Sequence, residues 1–286
     1  MASLKVIRKR ISSVRNTQQI TKAMKMVSAA KLRRAQDTAV EARPYSEKLE
    51  ELLHSVAARV GAGAHPLLQP RQHERRVHLL FVSSDRGLCG GYNANLIRAA
   101  QGFLSERGAE NVQLTVVGRR GFDFFKKRPV KIVGRHINLL GGPTRDLAET
   151  LSRQLADEFS RGETDGVYVL FSRFRSTLSQ VPTITRLLPV AADTSADSAA
   201  LDYLYEPDAA TVLGRLLNQY VMVLVHRAFL EAMASEHAAR MTAMDSATNN
   251  ASDMIGRLTL EMNRARQAVI TKELMEIVSG AEALKG

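Results

Sequence analysis

The sequence predicts an α/β domain inserted between two long helices that pair as an antiparallel coiled coil. Three observations carry this expectation. Apolar residues recur at helical spacing near the start of the chain and again from Asp208 to Leu284. The stretch between them alternates strand-like with helix-like runs. Aromatics make up only 5% of the chain and Trp is absent, although 45% of residues are hydrophobic. Ala and Met stand where a thick core would use Phe or Trp, which suits long helices in close contact.

The first helix is read from Leu4, Ile7, Ile11 and Val14, whose 3-4-3 spacing places them on one face. The stripe then changes phase and resumes as Ile20, Met24, Val27 and Ala30. A four-residue insertion in a heptad pattern is a stutter, which locally unwinds a coiled coil. Pro44 lies inside the segment and predicts a kink or break near Arg43. The run GAGAHPLLQP, Gly61 to Pro70, reads as a flexible connection. Residues 1–60 are thus a first coiled-coil helix and residues 61–74 a linker.

Residues 75–205 have a different texture. Strand-like runs are Val77–Val82, Val112–Val117, Val130–Val133 and Val167–Phe171, with helix-like runs Ala94–Glu106, Gly121–Lys127 and Arg145–Phe159 between them. Apolar strands alternating with helices predict a parallel sheet with crossovers, a Rossmann-like α/β domain. Residues 206–286 form the second coiled-coil helix. Glu206-Pro207-Asp208 is a helix start with Asp208 as the cap, and no proline follows. A continuous helix of ~75 residues would extend ~110 Å. Gly214, Gly256 and the small polar run Ser246–Ser252 are its soft points. This helix outruns the first, so its uncovered remainder implies a partner.

The stretch SSDRGLCGGYNANL, Ser83 to Leu96, is where chemistry would be sought, because strand, glycine-rich turn and helix is how many proteins hold a phosphate. No G-x-x-x-x-G-K-[ST] or G-x-G-x-x-G can be written there, Asp85 places a negative charge at its mouth, and Arg86 is the nearby cation. We read it as a tight strand-to-helix connection with Asn93 or Asn95 as helix cap. The seven His are scattered, so neither a metal site nor a catalytic set is expected. The single cysteine, Cys89, excludes an internal disulfide and a multi-cysteine zinc site, and reads as a small buried hydrophobe. The Met residues of TKAMKMVSAAKLRR and AARMTAMDSATNN read as helix–helix core. The longest strongly apolar run, Tyr220–Val225, is far short of the ~20 residues of a membrane span.

Residues 1–34 hold ten Lys or Arg and no Asp or Glu, within a chain of formal charge +11. Such a block suits an anionic surface of some kind. Readers of nucleic acid interleave aromatics, and none precedes Tyr45. Two alternatives remain from the residues alone: an α/β nucleotide-dependent enzyme with helical arms, and a basic coiled-coil binder of nucleic acid.

The ends of the chain add a resemblance. IRKRISSVRNTQQITKAMKMVSAAKLRRAQ (Ile7–Gln36), and SEHAARMTAMDSATNNASDMI through NRARQAVITKELMEIVSGAEAL (Ser235–Leu284), closely resemble the γ subunits of F-type ATP synthases. SSDRGLCGGYN, SQVPTITRLLP (Ser179–Pro189) and DYLYEPD (Asp202–Asp208) are similar to that family's central domain. The resemblance covers almost the whole chain in order. It implies a non-catalytic rotor: two terminal helices inside a ring of α and β subunits, the α/β domain outside it near ε and the membrane c-ring. It implies no cofactor, no direct small-molecule substrate and no nucleic-acid partner. Contacts with β carry over onto Met24 and Lys25 in TKAMKMV, Arg240 in AARMTAM, and Arg266 and Gln267 in RARQAVITKEL. Thr271 and Glu273 lie one turn beyond. The basic block would face acidic loops of β. The pattern begins within the first few residues, which argues against a transit peptide although MASLKVIRKRISSVRN is amphipathic and acid-free. A lone cysteine rules out the two-cysteine switch of chloroplast relatives. A bacterial protein on the cytoplasmic face of the inner membrane is the expectation.

Overall fold

The computed structural model describes residues 4–60, 63, 65–138, 144–191, 205, 206 and 208–283. Parts of the linker (Gly61, Ala62, Ala64), most of DYLYEPD and Leu284 lie outside the described residues. The chain divides into two compact units. One joins Met1–Val27 to Met241–Gly286, and the other is Ser28–Arg240.

Helix α1 runs Leu4–Val60 and helix α5 runs Ala209–Ala283. Asp208 caps α5 as its sequence suggests: its carboxylate accepts from the Thr211 N–H and hydroxyl, each at 2.8 Å. Within the first unit the two helices are antiparallel. Thr21 meets Thr248 across the seam at 2.8 Å, and Lys25 meets Asp245 at 2.6 Å. Within this unit the buried and half-buried positions on α1 are Leu4, Ile7, Ile11, Val14, Gln18, Thr21, Met24 and Lys25. Apart from Met24, which lies beside Lys25, they form one unbroken 3-4 series. The predicted stutter is therefore absent: Ile20 is 61% exposed and Val27 56% exposed, while polar residues occupy the seam. A hydroxyl pair and an ion pair satisfy one another there, so the supercoil needs no apolar residue at those positions.

Nor does α1 break at Pro44, which lies inside the helix. Proline removes one backbone bond at a cost of about 3 kcal/mol. Leu49, Leu53, Val56 and Ala57, buried a few residues on, hold the helix in place and offset that loss.

In the second unit a five-stranded sheet has the order β3-β2-β1-β4-β5. Its strands are β1 Val77–Val82, β2 Val112–Val117, β3 Lys131–His136, β4 Gly166–Phe174 and β5 Gln180–Leu188. Helix α2 (Tyr92–Arg107) follows β1, α3 (Arg119–Phe125) follows β2, and α4 (Thr144–Ser160) precedes β4. Strands β3, β2, β1 and β4 are mutually parallel, and β5 returns antiparallel to β4. The all-parallel expectation is corrected to a mixed sheet. Pro182 hid the fifth strand, because proline reads against a strand interior and is tolerated on an edge.

Both faces of the sheet are covered, which is why β1 reads as one continuous apolar run. Val77, Leu79 and Phe81 pack with Leu96, Ala100 and Phe103 of α2. Leu80 and Val82 join Leu151, Leu155 and Phe159 of α4, and Leu213, Leu217, Val221, Val225 and Phe229 of α5. His78, fully buried in that run, bonds Glu158 at 2.7 Å and Thr115 at 2.8 Å. Burial pushes the Glu158 carboxyl up. The bonds from His78 and Gln154, with nearby positive charge, outweigh that and leave it below its ordinary value.

Candidate partner interface

In an open α/β sheet, ligands bind where the strand order reverses, beyond the carboxyl ends of the strands. Here the reversal falls between β1 and β4, and the glycine loop Ser83–Gly91 leaves β1 at that point. The loop is built from within. Asp85 accepts from the Arg119 N–H at 2.9 Å and the Asn138 N–H at 2.8 Å. Ser84 bonds the side chain of Asn93, whose amide also reaches the Cys89 sulfur at 3.2 Å. Asn93 is thus a brace to the loop rather than a cap. Helix α2 begins after Gly91, and no side chain caps it. Gly118, in the turn after β2, has φ +99°, and a Cβ there would overlap the Ser83 carbonyl. Leu88, also at positive φ, stands 63% exposed at the tip.

The crevice itself is filled by α5. Tyr92 donates its hydroxyl to the Ala232 carbonyl at 3.1 Å, and Ser235 donates to the Ser172 carbonyl at 2.8 Å. Arg240 Nε donates to the Gly87 carbonyl at 3.3 Å, and its Nη2 donates to the carbonyls of Gly87 and Arg86 at 3.2 and 3.4 Å. The same Nη2 meets Glu236 Oε1 at 2.7 Å. A phosphate cradle turns N–H groups toward an anion. This loop turns two carbonyl oxygens toward a cation.

Burial dominates the electrostatics around this point. It pushes the Cys89 thiol up, with Arg240 and Ser84 opposing, and holds the Tyr92 hydroxyl well above its ordinary value. It also raises the Glu236 carboxyl, although the Arg240 charge and hydrogen bond pull the other way. His237 is lowered to about 4 by burial and by the charges of Arg240 and Lys31, and its Nδ1 finds no hydrogen-bond partner among the described residues. No three His, Cys, Asp or Glu side chains gather as a metal site among the described residues.

The predicted contact residues fall into three groups. Met24 and Lys25 are half-buried on α1, and Lys25 is engaged by Asp245. Arg240 is 8% exposed and turned inward as described. Arg266, Gln267, Thr271 and Glu273 are all exposed, on a stretch of α5 with no cover of its own. There Val269, Ile270, Leu274, Met275, Ile277 and Val278 are open to solvent, Ile277 at 69%. Sequence reading missed Glu236, whose i,i+4 spacing to Arg240 was the available signal, and the outward apolar pair Ile20 and Val27.

Fold and site together define a coiled-coil protein carrying an α/β domain whose ligand crevice is occupied by its own helix. The chain belongs to the ATP synthase gamma-chain family: the family model described as ATP synthase matches residues 3–284. The ATP synthase gamma chains of Geotalea uraniireducens and Geobacter metallireducens are each 51% identical to it, over 100% of both chains. Among solved structures, a chain of the Tetrahymena thermophila mitochondrial ATP synthase central stalk and c-ring superposes with a TM-score of 0.62 at 25% identity, over 80% of this chain and 99% of that one. A chain of the Euglena gracilis mitochondrial ATP synthase rotor gives 0.64 at 21% identity, over 93% and 98%, and supports the fold.

Proposed function

We propose that the chain works as the central rotating shaft of an F-type ATP synthase. It couples ion-driven rotation of a c-ring to ATP synthesis at catalytic sites on β, and is not itself catalytic. The observation that carries this reading is the bare end of α5. Up to Ala265 the helix is at least partly covered by its own chain, with Met244 and Ala251 buried. From Arg266 to Gly280 every residue is exposed, large apolar ones included. Contiguous exposed apolar surface marks a place of interaction, and a ring of α and β subunits is the sleeve that fits it. In this arrangement Arg266, Gln267, Thr271 and Glu273 offer polar contacts to β from the bare stretch. Met24, Lys25 and the basic block offer them from α1, and the α/β domain meets ε and the c-ring. No helix among the described residues is long and apolar enough to cross a membrane, which agrees with a peripheral subunit. The bacterial relatives favour the cytoplasmic face of the inner membrane.

The test separates folding from assembly. Ile270→Asp/Leu274→Asp alters only exposed positions, so unfolding of the isolated chain should shift by no more than about 0.5 kcal/mol. Membranes expressing it should lose most of their ATP synthesis, because two charges would enter an apolar sleeve. Full ATP synthesis at wild-type subunit content would sink the proposal.

A further inference from the structure

The resemblance places a contact with β at Arg240, and its guanidinium is held inside the chain. Segment 232–240 of α5 crosses the carboxyl end of the sheet and is tied there at three points. Two are neutral, Tyr92 to Ala232 and Ser235 to Ser172. The third is charged: Arg240 spans from Glu236 on its own helix to the carbonyls of Arg86 and Gly87 on the glycine loop. Apolar packing is non-directional and permits a helix to slide or roll on the surface beneath it. A planar guanidinium bonded on both sides fixes direction as well as distance. Glu236 needs Arg240 as its counter-charge, being 9% exposed itself. The loop needs it too, since two of its carbonyls turn to that donor. Ser84, donating to the Arg86 carbonyl at 2.6 Å, carries the restraint on to Asn93 and Cys89.

We infer that Arg240 is a positioning residue: with Glu236 it forms a clasp that holds α5 in register on the glycine loop, and this clasp carries torque between the α/β domain and the helix. The torque half rests on the shaft reading proposed above. The clasp itself does not.

The chain supplies its own reporter, because Cys89 is its single cysteine and lies within the loop at 2% exposure. Labelling of Cys89 by a neutral maleimide is followed in the purified full-length chain. Arg240→Gln should raise the labelling rate about tenfold through local opening of the loop. Arg240→Lys, which keeps the charge and loses the fork, should fall between that variant and wild type. Glu236→Gln should also accelerate labelling, and the double variant should label no faster than Arg240→Gln alone, because both changes act through one clasp. Unchanged labelling in Arg240→Gln and Arg240→Lys overturns the clasp, whatever the complex does. In membrane vesicles holding the assembled complex at equal subunit content, the ratio of protons pumped to ATP hydrolysed is then read. Arg240→Gln and Glu236→Gln should both lower it by about twofold or more, with Arg240→Lys partly restoring it. A wild-type ratio in both Gln variants overturns torque transmission. So does a fall confined to Arg240→Gln, which would mean that the guanidinium acts directly on a partner.

Discussion

Two stretches of α5 carry the same kinds of residue in opposite surroundings. From Leu213 to Ala232 the apolar positions lie in the core of the second unit, with Leu213, Leu217, Val221, Val225 and Phe229 fully buried. From Val269 to Val278 an equally apolar set lies open to solvent. Propensity and hydrophobicity do not separate the two. What differs is that the first has a sheet and two further helices to lie against, and the second has none of its own. One stretch stabilises the chain, and the other is left for an external surface to cover.

The sharpest way to break the contrast is at Phe229. Phe229→Ala deletes a ring at 0% exposure and should destabilise the isolated chain by about 3–5 kcal/mol in denaturant unfolding. A loss below 1 kcal/mol would mean that this part of α5 is not core. Next comes a matched pair on α1. Ile11 is 7% exposed and Ile20 is 61% exposed. Ile11→Ala should cost about 2–4 kcal/mol and Ile20→Ala no more than about 0.5. Equal losses would restore the phase shift that the sequence suggested.

A smaller effect is expected at His237, whose folded pKa of about 4 lies below its ordinary 6.5. The folded state holds a neutral imidazole, so on acidification the unfolded chain takes up its proton first. The contribution is complete above 6.5, is lost progressively as pH falls toward 4, and levels off below that. His237→Gln should flatten the stability profile inside that window and leave it unchanged above it. Glu236, raised from its ordinary 4.5, has the opposite slope, so the difference between wild type and variant is the quantity to measure.

The smallest effect on stability belongs to Arg266→Ala/Gln267→Ala, since both side chains are exposed. Unfolding should not move beyond about 0.5 kcal/mol. In the assembled complex the same change should slow both ATP hydrolysis and synthesis, because charge-assisted bonds in a protein sleeve are worth about 1.5–3 kcal/mol each. Partial activity should survive through Met24 and the basic block. Wild-type rates at equal assembly would make the two residues bystanders.

Much of this was legible from local pattern. Val77–Val82 and Val112–Val117 are strands over the ranges read from their apolar runs, and Asp208 caps the helix that its neighbours announce. Other features were hidden by residue type. Gln18, Thr21 and Lys25 look like a solvent face, so the eye moves to Ile20 and Val27 and shifts the phase. Pro182 masks an edge strand, because a missing N–H matters only where a neighbour would accept it. Arg240 has Glu236 four residues before it in the sequence, but the two loop carbonyls that complete its surroundings are brought to it by the fold.

By itself the sequence determined the order of the elements apart from β5, and the two amphipathic ends. It also showed the lack of a phosphate-binding pattern, since these depend on periodicity and on residues close together in the chain. Only the tertiary structure decided which face of α1 is the seam, that the sheet is mixed, and that α5 fills the crevice where a ligand would otherwise sit. Each of those is a choice among surfaces of similar intrinsic preference. For the seam and the crevice it is made by partners distant in the chain: Thr248 and Asp245 lie 227 and 220 residues from Thr21 and Lys25, and Ser172 and Gly87 lie 63 and 153 residues from Ser235 and Arg240. Burial and hydrogen-bond satisfaction between distant groups are set by packing, and no local window of sequence contains both members of such a pair.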